Sequence, residues 1–179
     1  MSEIIEGSSG NSAEQKGTNV RRFLATRGLL VIKEFREIGV VKSEYGQRIK
    51  VSTLIMAVGK SAPRENTYGV RLETRDDEKN LQDTSFLDLD ETGEFLEALE
   101  FIQTAAKRMT SHQRDYTELT YSTKDDVTFG FYQSAEEQQP FIKVGTGADT
   151  LFLSFEKLEV FKRAILQARE YLLRRGGEA

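Results

Sequence analysis

The stretch Ser85–Met109, SFLDLDETGEFLEALEFIQTAAKRM, turns from an apolar strand end into an amphipathic helix within a few residues. Phe86 and Leu87 close the strand. Asp88 and Glu91 stand at the spacing of a capping box, in which each side chain meets an otherwise orphaned amide at a helix start. Beyond them Phe95, Leu99, Ile102 and Ala106 recur at steps of four, three and four, one apolar stripe, while Glu94, Glu97, Glu100 and Lys107 occupy the other side. The plan returns at Leu151–Arg175, LFLSFEKLEVFKRAILQAREYLLRR, where Ser154 stands at the cap and Leu158, Phe161, Ile165, Ala168 and Leu172 form the stripe. An offset of 66 residues lays Phe86 on Phe152, Phe95 on Phe161, Leu99 on Ile165 and Arg108 on Arg174, with five of 25 positions identical. Common ancestry of the halves and independent use of a strand, cap and helix both produce such a match.

Upstream of each helix the text is strand-like. Segments 28–35 and 37–43 are rich in branched apolar residues, and Glu44–Gln47 makes a turn before 48–59. There Ile49, Val51, Thr53 and Ile55 alternate with Arg48, Lys50, Ser52 and Leu54, the two-residue period of a strand. Residues 60–66 read as a loop around Pro63, and 67–75 alternates again, with Tyr68, Val70 and Leu72 opposite Gly69, Arg71 and Glu73. The acidic run 76–83 reads as solvated loop. In the second half, 115–123 and 127–133 flank a Lys124-Asp125-Asp126 turn, and 141–145 and 150–153 supply two further strands. The expected fold is α+β: two tandem β-β-β-β-α units with antiparallel sheets, each followed by one long amphipathic helix. A flexible tail over 1–19 precedes a first unit at 20–110, and a second at 111–175 packs with it as one body.

A chain of 179 residues can bury a core without staples, and this one has no Cys, so disulfides, thiolate ligands and cysteine nucleophiles are excluded. A cytoplasmic location is the expectation. No apolar run reaches the ~20 residues needed to cross a bilayer, so no membrane partner is expected. The net charge of −4 conceals an asymmetry: residues 20–75 carry 12 Lys or Arg against 5 acids, and residues 76–142 carry 16 acids against 5 bases. Such a division suits a polyanion, a second copy of the same chain, or neutralisation within the fold.

The order of four strands and a long helix, twice, with the phrases FLDLDETGEFLEAL and LFLSFEKLEVFKRAI, resembles the Whirly and Pur-type single-stranded nucleic-acid-binding proteins and related transcriptional coactivators. The resemblance covers most of 27–175 and carries no signature motif. It implies paired repeats that share a core, and a curved sheet whose basic and aromatic residues grip a strand. On the residues themselves, Arg48, Lys50 and Arg71 fall on strand positions facing away from the apolar sets, with Lys60 and Arg64 in the adjoining loop. These five are the expected phosphate contacts, with Tyr45 or Tyr68 as stacking faces. Against this stand a sequence pI of about 5.3 and the habit of solvent-facing strands to carry charge. Two functions follow: a non-enzymatic binder of single-stranded DNA or RNA, or a protein-interaction module that assembles with itself as a homo-oligomer.

Other motifs yield less. VGKS (58–61) resembles the end of a phosphate-binding loop, but Leu54 stands where the earlier glycine is needed and Pro63 blocks the following helix. GTGAD (145–149) has Thr150 in place of a third glycine and precedes a strand. His112 is the only histidine, in a polar helix-ending loop, and Asp88, Asp90 and Glu91 are accounted for by capping and the helix dipole. No catalytic residue, metal ligand or cofactor is expected.

Overall fold

The computed structural model describes residues 17–59, 66–109, 114–135, 137–147 and 149–176. Its elements run α1 (Asn19–Ala25), β1 (Val31–Lys42), β2 (Arg48–Val58), β3 (Thr67–Asp76), β4 (Leu81–Asp88), α2 (Glu91–Met109), β5 (Arg114–Ser122), β6 (Val127–Ala135), β7 (Glu137–Val144), β8 (Leu151–Phe152) and α3 (Phe155–Arg174). The protein is α+β. Strands β1–β4 and β5–β8 form two four-stranded antiparallel sheets in sequential order, each followed in the chain by a helix, with three helices among the described residues. None of these helices is long and apolar enough to cross a membrane.

Three local expectations change. Segments 28–35 and 37–43 belong to one strand, β1, because a bulge between Glu37 and Gly39 absorbs the residue that interrupts the alternation. The acidic loop is shorter than expected: Leu81, Gln82 and Asp83 already pair with Asp76, Arg75 and Thr74, and the reversal lies in 77–80, where Asn80 takes φ 52°. Thr18 and Asn19, read by composition as tail, cap and open α1; the Thr18 side chain accepts the Arg21 N–H at 3.1 Å.

The helices are exchanged between the halves. α3 lies across β1, β2 and β3, whereas α2 lies across β5 and β6 and touches β4 at its start. Each stripe thus buries itself on the sheet that the other half supplies. Phe95 of α2 sits 4.7 Å, ring centre to ring centre, from Phe129 of β6, and 6.1 Å from Phe161 of α3. Both inner sheet faces and both stripes join one continuous core. The end of α3 is tied to β1 as well, where the Arg175 guanidinium reaches Glu34 at 2.7 and 3.1 Å. That hydrogen bond holds the Glu34 carboxyl below the ordinary carboxylate range.

On the other side of the first sheet, α1 covers an apolar end made of Leu54, Met56 and Phe86. The fit needs a glycine: a Cβ on Gly69 would stand 2.5 Å from Val20 Cγ2 and 2.8 Å from the Leu87 carbonyl oxygen. Asp88 does a different task from the one its spacing predicts. Glu91 does accept the Asp88 N–H, at 3.0 Å, which is half of the capping box. The Asp88 carboxylate turns away and accepts the amides of Asn19 (2.6 Å) and Val20 (3.0 Å), so it anchors α1 rather than α2. Asp125, in the β5–β6 turn, accepts the Phe86 N–H at 2.7 Å and the Arg21 guanidinium at 2.8 Å, pinning the second sheet to the edge of the first.

Candidate nucleic-acid interface

Opposed residues of antiparallel strands share a face, so register places side chains in rows. On the outer face of the first sheet Lys42, Arg48 and Arg75 make one row, Val40, Lys50 and Glu73 the next, and Glu37, Ser52 and Arg71 a third. Three of the expected contacts, Arg48, Lys50 and Arg71, are thereby brought together. Lys60 and Arg64 lie outside the described residues, as does His112. Lys42 and Arg75 complete the group and were not singled out from sequence. Arg75 follows Arg71 at two strand steps and was legible. Lys42 becomes legible only when the 43–47 turn sets it opposite Arg48.

The cations are partly answered. Asp77 takes Arg48 at 2.8 Å and Arg75 at 2.6 Å, while Glu73 takes Lys50 at 2.8 Å and also Arg71. Burial pushes the Glu73 carboxyl up, but the Lys50 hydrogen bond and the Arg71 charge outweigh it and hold the group below the ordinary carboxylate range. The five cations of the three rows thus stand beside three acids, Glu73 and Asp77, which pair with them, and Glu37, which does not, an excess of positive charge. An exposed pair such as Arg48–Asp77 holds by only about 0.2–1 kcal/mol, too little to keep a phosphate from competing for the guanidinium.

The outer face of the second sheet has another character. Tyr116 of β5 stacks on Tyr132 of β6 with ring centres 6.3 Å apart and planes 21° off parallel. Tyr132 contacts Phe141 of β7 at 6.5 Å and Phe152 of β8 at 6.3 Å, and Phe152 meets Tyr45 edge-on at 5.9 Å. Tyr45 belongs to the β1–β2 turn of the first sheet, and the Glu44 N–H donates to the Phe152 carbonyl at 2.9 Å, which fastens that turn to β8. The aromatic strip therefore begins at the turn that Lys42 and Arg48 flank. Its ends are open, Tyr45 being 70% and Tyr116 62% exposed. Tyr68 is not part of it: opposite Ile55, it packs against the core, and its hydroxyl donates to the Arg175 carbonyl.

Acid–base chemistry finds less support. A groove of about 540 Å³ between α2 and α3 contains Glu100 and Glu159, but the Lys162 ammonium lies 2.6 Å from one and 2.8 Å from the other. The Lys162 hydrogen bond holds Glu159 below the ordinary range, whereas a general acid needs a raised carboxyl. Burial does raise Glu91, yet its carboxylate is occupied by the Asp88 amide. Among the described residues no three His, Asp or Glu side chains converge on a point that would hold a metal. Compared with protein-family models, with curated proteins and with solved structures, the chain matches none.

Proposed function

We propose that this chain is a non-enzymatic binding protein for single-stranded nucleic acid, taking phosphates on the cationic rows of the first sheet and bases on the aromatic strip of the second. The observation that supports this reading is the junction at Tyr45, where the two surfaces adjoin. A single strand offers a flexible polyanion and unpaired base faces together, and each base stacked on an aromatic ring contributes about 1–3 kcal/mol without regard to sequence. A duplex hides those faces, and an acidic protein partner would leave the strip unused. The exchanged helices also support treating the halves as two copies of one unit, as in the resembled class.

Fluorescence anisotropy with a labelled oligonucleotide of about fifteen thymidines tests it. With three to five phosphates engaged, log affinity should fall against log salt with a slope of about −2 to −3.5. Arg48→Glu with Lys50→Glu should lower affinity at least ~10-fold and flatten that slope. Tyr132→Ala should weaken binding and leave the slope unchanged, since stacking releases no counterions. A duplex bound as tightly as the single strand, or no binding at 50 mM salt, would refute the proposal. Self-assembly, the other function expected from sequence, is favoured by a separate observation on β1 and is compatible with this one.

A further inference from the structure

We propose that β1 is a self-pairing edge: two copies of this chain join antiparallel through β1 about a two-fold axis at Phe35, merging their first sheets into one of eight strands. β1 is the outermost strand of its sheet, and at 12 residues it is long for an edge. Its centre, Ile32–Ile38, reads IKEFREI. Laid antiparallel to itself about Phe35, Ile32 meets Ile38, Lys33 meets Glu37, Glu34 meets Arg36, and Phe35 meets its own copy. Every opposed pair is apolar on apolar or opposite in charge, the self-complementarity that a two-fold interface requires. Faces agree too, since Lys33, Phe35 and Glu37 lie on the outer face and Ile32, Glu34 and Arg36 on the inner.

The register is specified. Moving the axis to Glu34 sets that carboxylate against its own copy, and moving it to Arg36 does the same with guanidinium. Edge strands commonly avoid pairing by carrying like charges or a bulge; here the charges alternate in sign, and the bulge lies after Glu37, toward the end of the paired run. Apolar surface is waiting on both faces, with Ile32 52% and Phe35 50% exposed. Glu34 and Arg36 are already oriented by α3, through Arg175 and through the Tyr171 ring 4.6 Å from the Arg36 guanidinium carbon. Lys33 and Glu37 have no charged partner among the described residues. Such a pairing would set two cationic outer faces side by side in one continuous sheet.

Sedimentation velocity on the full chain, at about 1 to 100 µM, provides the test. The wild type should be a dimer at the upper concentration. Lys33→Glu and Glu37→Lys, each of which puts like charges opposite twice per dimer, should raise the dissociation constant at least ~10-fold. Mixing the two single variants, or combining both changes in one chain, should restore association. Because the chain has no Cys, Phe35→Cys should form one intermolecular disulfide under mild oxidation: opposed Cα atoms stand ~4.5–5.5 Å apart, within bonding range. Val40→Cys, beyond the paired run, should not. A monomeric wild type at 100 µM, single variants as dimeric as wild type, or equal cross-linking at the two cysteines would each overturn the proposal. No oligonucleotide enters these measurements, so their failure would leave the nucleic-acid reading standing.

Discussion

The two sheets share a strand order and an inner-face pattern but differ on their outer faces. Each inner face is predominantly apolar and is closed by a helix from the other half. Outside, the first sheet carries rows of Lys and Arg, a small covering helix and a long open edge, whereas the second carries a line of aromatic rings. The inner faces are held alike by one requirement, burial against a facing stripe. The outer faces answer only to solvent and partners, so they are free to differ. The comparison teaches that architecture resides in the shared half of the pattern and function in the unshared half.

The strongest way to break the comparison is to separate the halves. Residues 1–110 expressed alone would lack α3, the cover of their own sheet, and should show no cooperative unfolding transition. Co-expression with 111–179 should restore one, as read by circular dichroism. An independently folded half would contradict the exchange. Within the intact chain, Phe95→Ala and Phe161→Ala should each destabilise by about 3–5 kcal/mol, and the double variant should depart from additivity because the rings touch across the halves. Urea denaturation of the four proteins measures both quantities.

Glycines on the two outer faces sharpen the contrast. Gly69→Ala meets the tip of Val20 and should cost about 1–3 kcal/mol by dislodging α1. Gly130→Ala in the second sheet would put a Cβ 2.1 Å from the Leu119 carbonyl oxygen, a deeper backbone overlap than the 2.8 Å between a Gly69 Cβ and the Leu87 oxygen, so its cost should be the larger of the two. The smallest effect belongs to Glu73→Gln. Since the folded-state value lies below the ordinary 4.5, the ionised group's stabilisation is complete at neutral pH and is lost as pH falls through the lowered value. Melting temperatures should therefore fall less on acidification in the variant than in the wild type. At neutral pH the variant also frees Lys50 and Arg71, so oligonucleotide affinity should rise a few-fold, with a salt slope steeper by about 0.7.

Legibility followed the range of the interaction. The α2 and α3 stripes and the inner strand positions were visible because a period depends on neighbours a few residues away. Helix α1 was hidden: it is seven residues long, and its start is satisfied by Asp88, 68 residues distant from Val20. Asp88 misled for the same reason, since a correct local spacing was overridden by an amide arriving from elsewhere. Of the candidate site, Arg48, Lys50 and Arg71 could be placed on one face by alternation alone, and Lys42 joined only through strand register.

Read as a line of residues, this protein already specifies two sheets and two long helices, because side-chain period alone decides which faces must leave water. That α3 covers β1–β3 and α2 covers β5 and β6, and that Tyr45 completes a strip ending at Tyr116, depend on contacts between segments far apart in the chain. Hydrophobic burial is non-directional, so a stripe demands a cover without naming it. The choice falls to shape and packing once the whole chain is folded.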